Sequence, residues 1–168
     1  MTTYTSIESP LGDLTLTASG DLLTGLWFGD ATPTGRRDDA EPIFSIARMQ
    51  LDEYFAGARL TFDLPLAPAG TGFQKTVWQA LLDIPYGVTV SYAELAEQIG
   101  NRKASRAVGL ANGQNPIAIV IPCHRVIGAN GKLVGYGGGL ARKIALLDFE
   151  AAVRATGPQP FRMLGDDA

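Results

Sequence analysis

Ile117-Ala118-Ile119-Val120-Ile121-Pro122-Cys123-His124-Arg125-Val126-Ile127-Gly128 places the only cysteine and the only histidine of a 168-residue chain side by side, where five apolar residues meet a proline. The apolar run predicts a buried strand. Pro122 stops it, because proline brings no N–H to a ladder and restricts the residue before it. Cys123 is therefore expected at the end of a strand, where a side chain can emerge into a cleft. The pair has two readings at this point: a small buried hydrophobe beside a structural histidine, or a thiol activated as a nucleophile.

Composition narrows the setting. With 46% apolar residues the chain can bury a core, as one domain or as two small ones. No apolar run is long enough to span a bilayer, and Met1-Thr2-Thr3-Tyr4-Thr5 lacks a basic start followed by an apolar core. The expected location is the cytoplasm, without membrane contact, and a single unpaired cysteine suits a reducing compartment. A structural zinc site needs about four Cys or His ligands, so no metal and no cofactor is expected. The net charge of -3 hides an asymmetry. Residues 1–70 carry four Lys/Arg against ten Asp/Glu, whereas residues 90–146 carry seven against two. An anionic partner would meet the second half.

The chain divides at Leu66-Ala67-Pro68-Ala69-Gly70, which reads as a linker between a domain of residues 1–70 and one of 71–168. In the first, Leu14 to Thr17 and Leu22 to Phe28 flank a Ser19-Gly20-Asp21 turn and predict a hairpin. From Ile43 the spacing of Phe44, Ala47, Leu51, Tyr54 and Phe55 predicts a helix, and Leu60 to Leu64 returns to strand periodicity. No catalytic constellation occurs here, so this domain is expected to be a scaffold.

In the second, Thr71 caps a helix carrying Phe73, Val77, Trp78, Leu81 and Leu82. Ser91-Tyr92-Ala93-Glu94 has the spacing of a capping box, and Gly100 ends the short helix that follows. A second short helix, Ala104 to Gly113, completes the outline of a helix-turn-helix. Its face is unusual: Ala104, Ala107, Gly109 and Ala111 are small, with Arg106 the one long side chain after Lys103. Either it packs tightly in a core or it lies close against DNA without reading bases. Gly135-Tyr136-Gly137-Gly138-Gly139 opens the last helix, from Leu140 to about Val153, and the tail from Thr156 is expected to be irregular. The fold class is α+β: a small sheet-plus-helix domain, then a mainly helical one with a helix-turn-helix and an active-site strand.

Ile-Pro-Cys-His-Arg-Val, preceded by Gly-Gln-Asn-Pro and followed by Gly-Tyr-Gly-Gly-Gly-Leu, closely resembles the active-site region of the O6-alkylguanine-DNA alkyltransferases, the methylated-DNA-protein-cysteine methyltransferases. The resemblance runs from about Phe73 to Glu150, and Ser9-Pro10-Leu11-Gly12-Asp13-Leu14 looks like the family's usual opening. It implies DNA repair by irreversible, one-for-one transfer of an alkyl group from O6 of guanine, and from O4 of thymine, in a flipped-out nucleotide to Cys123. His124 would draw off the thiol proton through a water, and Glu150 would hold that histidine. Tyr92 and the Gly137 N–H would meet the leaving guanine, and the carbonyls of Cys123 and Val126 its amine. Tyr136 and Gly138 would close the pocket, and Asn115 would tie the helix-turn-helix to the active-site strand. Ser91, Lys103, Ala104, Ala107 and Gly109 would lie along the minor groove of double-stranded DNA, with Arg106 as the finger that replaces the flipped base. The protein would be monomeric without DNA. Two other classes use the same features: a DNA-binding regulator acting through the helix-turn-helix alone, and a cysteine-histidine hydrolase.

Overall fold

The computed structural model describes residues 1–29, 33–133 and 135–162. Its first half is built on the expected hairpin, Leu14–Ser19 (β2) against Leu22–Phe28 (β3), which turns at Gly20 with φ +59°. Thr2–Ile7 (β1) pairs antiparallel with the other edge of β2, and Arg36–Arg37 (β4) adds in parallel, giving the order β3-β2-β1-β4. β1 escapes a reading by hydrophobicity because two of its inward residues, Thr3 and Thr5, are threonines. Their alternation with outward positions is nonetheless that of a strand.

Pro42–Phe55 (α1) starts with proline, whose missing N–H costs nothing at a helix start. It lays Phe44, Ala47, Leu51 and Tyr54 against the core. The segment after it corrects one expectation, since Leu60 to Leu64 forms no strand. Its backbone is satisfied otherwise: the Gln50 amide accepts from the Asp63 N–H at 2.8 Å and donates to the Asp63 carbonyl at 2.9 Å. The expected linker is also tied down. Leu23 N–H donates to Pro65 O and Ala67 N–H to Leu23 O, both at 2.9 Å, so the chain joins the edge of β3 before it leaves the sheet.

The second half is helical where its caps say so. Thr71 and Gln74 form a capping box for Gly72–Leu82 (α2), and Ser91 and Glu94 form one for Tyr92–Gln98 (α3). Gly100, at φ +83°, ends α3; a 3-10 turn of Arg102–Ala104 then leads into Ser105–Gly113 (α4). Trp78 on α2 donates its indole N–H to Ala111 O at 2.9 Å and seats α4. Val90–Ser91 (β5) pairs in parallel with Val126–Ile127 (β6), and Leu140–Thr156 (α5) closes the chain. The tail is irregular as far as Arg162, and the rest lies outside the described residues.

The α+β class and the order of its parts agree with the sequence reading, but the active-site strand does not exist. Ile117 to Ile121 is a buried turn. Leu26 N–H donates to Pro116 O, Ala118 N–H donates to Leu26 O, and Ile121 N–H folds back onto Ile117 O. Ile119 has φ +69°, a conformation costly for a β-branched residue. Asn115 supplies the partners that a ladder would have supplied: its amide donates to Ile121 O at 2.8 Å and its carbonyl accepts from Ile117 N–H at 3.0 Å. Both halves share one core, with Leu14 and Leu26 of the sheet, Tyr54 of α1, Trp78 of α2, Ile117 of the turn and Leu146 of α5 all fully or almost fully buried. Among the described residues no helix is long and apolar enough to cross a membrane.

Candidate active site

Pro122 delivers the chain into a 3-10 turn, Cys123–Arg125, rather than off a strand end. Three consecutive side chains therefore do not share one direction. Cys123 lines a cavity of about 260 Å³ with Asn112, Asn115, Tyr136, Gly137 and Gly138. His124, fully buried, turns away from that cavity toward α5. Arg125 runs beside it into the same cluster.

Glu150 is the centre of that cluster. One carboxylate oxygen accepts from the Tyr54 hydroxyl at 2.7 Å, from His124 Nε2 at 2.8 Å and from Arg125 Nη2 at 3.0 Å. The other accepts from Arg125 Nε at 2.8 Å and from the Gly87 N–H at 3.1 Å. A carboxylate can only accept, so His124 carries its proton on Nε2, leaving Nδ1 as a buried acceptor without a partner among the described residues. Burial alone would raise the Glu150 carboxyl; the hydrogen bonds of His124 and Arg125, and the charges both carry at the acid pH where it would titrate, outweigh burial and hold the group well below the carboxylate range. Burial depresses His124, partly offset by Glu150, so the imidazole is neutral at pH 7 and Arg125 supplies the compensating charge.

The thiol itself is pushed up by burial, and the Asn115 amide and the Lys143 ammonium pull it back. Lys143 is buried in α5 and donates to Val126 O at 2.6 Å. The Cys123 carbonyl accepts from Asn112 Nδ2 at 3.4 Å, while Asn112 Oδ1 has no partner among the described residues. Tyr136 and Tyr92 are both raised, first by burial and then by the charge of Cys123, and so stay protonated donors at pH 7. Such a site has a nucleophile and Tyr136 at one small cavity, with a neutral base held by a carboxylate behind it. Among the described residues no group of three His, Cys, Asp or Glu is placed to hold a metal ion.

Cys123, Asn115, Tyr136, Gly137 and Gly138 come together around the cavity. His124 and Glu150 pair behind it, and the Val126 carbonyl accepts from Lys143. Tyr92 stands half-buried over α4, where a Cβ on Gly109 would meet its ring at 3.6 Å. On α4 and the turn before it, Lys103, Arg106 and Ala107 are exposed and Ala104 and Gly109 half-buried, while Ser91 is spent on the cap. Arg125 and Lys143, counted with the basic stretch, are buried, so the exposed positive charge there is smaller than the sequence suggests.

Tyr54, Asn112 and Lys143 were not singled out by the sequence reading. Lys143 could have been, because it falls in the buried stripe of α5 with Leu146, Glu150 and Val153, and a charge on the apolar face of a helix asks for a partner.

Comparison with known proteins agrees with the motif. The family "6-O-methylguanine DNA methyltransferase, DNA binding domain" matches residues 72–152, and "6-O-methylguanine DNA methyltransferase, ribonuclease-like domain" matches residues 2–68. The methylated-DNA–protein-cysteine methyltransferase of Mycobacterium tuberculosis is 56% identical over 150 residues, 88% of this chain and 91% of that one. The protein of the same name from Methanosarcina acetivorans is 51% identical over 153 residues, 89% and 98% of the two chains. The crystal structure of Mycobacterium tuberculosis OGT in complex with DNA superposes with a TM-score of 0.84 at 55% identity, covering 89% of this chain and 93% of that one.

Proposed function

The chain belongs to the 6-O-methylguanine DNA methyltransferase family, and from that premise we propose that it repairs DNA by moving an alkyl group from O6 of guanine, or O4 of thymine, to Cys123, once per molecule. The carrying observation is Cys123 at a small cavity with neutral His124 behind it, fixed by Glu150. His124 Nδ1 takes the thiol proton through a water. The sulfur attacks the alkyl carbon, the carbon–oxygen bond breaks, and its electron pair leaves with the guanine. The Tyr92 hydroxyl and the Gly137 N–H meet that charge, Tyr136 and Gly138 cover the base, and the carbonyls of Cys123 and Val126 receive its amine.

The base reaches the cavity by leaving the duplex. Extrusion costs on the order of a few kcal/mol, and Arg106, exposed on α4, offsets part of it by entering the stack. The small residues Ala104, Ala107 and Gly109 let α4 lie in the minor groove, with Lys103 and Ser91 at its edge. Without DNA the protein is a monomer with two units, 1–70 and 71–168, a division supported by the change of charge between them.

Stoichiometry tests the reading. A thioether offers water no carbonyl to attack, so excess O6-methylguanine duplex should lose one equivalent of methyl per protein and no more. Peptide mass analysis should place it on Cys123. His124→Ala should slow transfer, with the deficit shrinking as pH rises toward the thiol's elevated range. Repeated turnover with unmodified Cys123 would mean a hydrolase, and DNA binding without transfer a regulator.

A further inference from the structure

The cavity at Cys123 has a wall that comes from the other half of the chain. The end of β3 brings Leu26, Trp27 and Phe28 to it. Alternation along the strand sends Trp27 to the opposite face, where its ring covers Gly25 closely enough that a Cβ there would come within 2.7 Å of it. Phe28 is then the half-buried aromatic ring that β3 presents to the cavity.

Phe28 is held from three sides. The two hydrogen bonds between Leu26 and the turn, at Pro116 O and Ala118 N, lock β3 to the segment that leads into Cys123. The Arg142 guanidinium lies 5.0 Å from the ring centre and donates to Leu11 O at 2.9 Å and to Gly138 O at 3.0 Å. The Tyr136 ring packs against it at an angle of 60° with centroids 5.9 Å apart, and Gly138 passes so close that a Cβ there would lie 2.3 Å from it. The ring thus fixes how far the glycine-rich loop stands from the thiol. At about 260 Å³ the cavity falls below the roughly 300–1,000 Å³ usual for small-molecule sites, so a rigid lining ring decides what fits beside the sulfur.

We propose that Phe28 sets the upper size of the alkyl group that Cys123 accepts, an inference that rests on the alkyl-transfer reading above. The test compares single-turnover labelling of Cys123 by one duplex carrying O6-methylguanine and the same duplex carrying O6-benzylguanine. Phe28→Leu opens the wall and should raise the benzyl-to-methyl rate ratio about tenfold, as expected when apolar volume in a pocket changes, and Phe28→Trp should lower it by a similar factor. A merely structural Phe28 would slow both substrates alike; a ratio unmoved in both variants, or moved the same way by both, overturns the proposal. Labelling from neither duplex by the unaltered protein would instead strike the proposed function.

Discussion

At Glu150 a single buried carboxylate takes five hydrogen bonds from four residues, and its charge is balanced by one guanidinium. Glu150→Gln would leave Arg125 buried without an anion, a loss of about 3–5 kcal/mol expected in the urea midpoint. The same cluster governs acid stability. The Glu150 carboxyl is lowered on folding, so its contribution is complete above an unfolded value of about 4.3 and is lost as pH falls below it. His124, also lowered, behaves likewise from about 6.5 downward. Urea midpoints should therefore fall in two stages on acidification, and His124→Gln should flatten the first and weaken the second, because His124 also holds the Glu150 carboxyl down; a first stage that persists unchanged in that variant would dismiss the histidine as its source. Cys123, His124 and Glu150 were legible as a motif because two are neighbours and the third stands at a matching place in the last helix. Tyr54 was not, since it meets Glu150 across 96 positions and reads locally as one more apolar point on α1.

At the scale of elements, the helices with capping boxes and the β2–β3 hairpin announce themselves, because short-range side-chain chemistry makes them. The misread segments, 60–64 and 117–121, have strand-like side chains, but Asp63 in the one and Ile117 and Ile121 in the other find backbone partners in the amides of Gln50 and Asn115. Periodicity records burial and cannot see that an amide has replaced a ladder. The 117–121 turn is the more consequential, since it aims Pro122 and the Cys123–Arg125 turn. Asn115→Ala should cost about 3 kcal/mol, because the buried Ile121 carbonyl and Ile117 N–H lose partners together. It should also shift the thiolate absorbance titration of Cys123 to higher pH, since the Asn115 amide helps to lower the thiol. Asn115→Asp keeps the acceptor for Ile117 but loses the donor and adds negative charge beside the thiol, and should shift the titration further. An unchanged titration in both variants would limit Asn115 to holding the turn.

Across the whole molecule, two matched family domains lie on either side of a short tether, yet the contacts between the halves are those of one folding unit. The turn before Cys123 is hydrogen-bonded into the edge of β3, Tyr54 of α1 reaches Glu150, and the guanidinium of Arg142 bonds Leu11. Phe161 past α5 donates its N–H to Phe55 O at 2.7 Å and packs on the Phe55 ring. Separating the halves would expose buried apolar surface on both and orphan several of these polar groups, so partial unfolding of either should be as costly as losing both. The chain carries its own reporters for this, Trp27 on β3 and Trp78 on α2, one in each half. Trp27→Phe leaves the fluorescence of the second half, and Trp78→Phe that of the first. Although Trp78→Phe gives up the hydrogen bond to Ala111 and lowers overall stability, within each variant the fluorescence midpoint in urea should coincide with the midpoint from far-ultraviolet circular dichroism. If the single-tryptophan variants instead show the first half melting at a lower urea concentration than the backbone signal as a whole, the sheet is a separable domain. The Cys123 cavity would then lose its Phe28 wall before the rest of the protein unfolds.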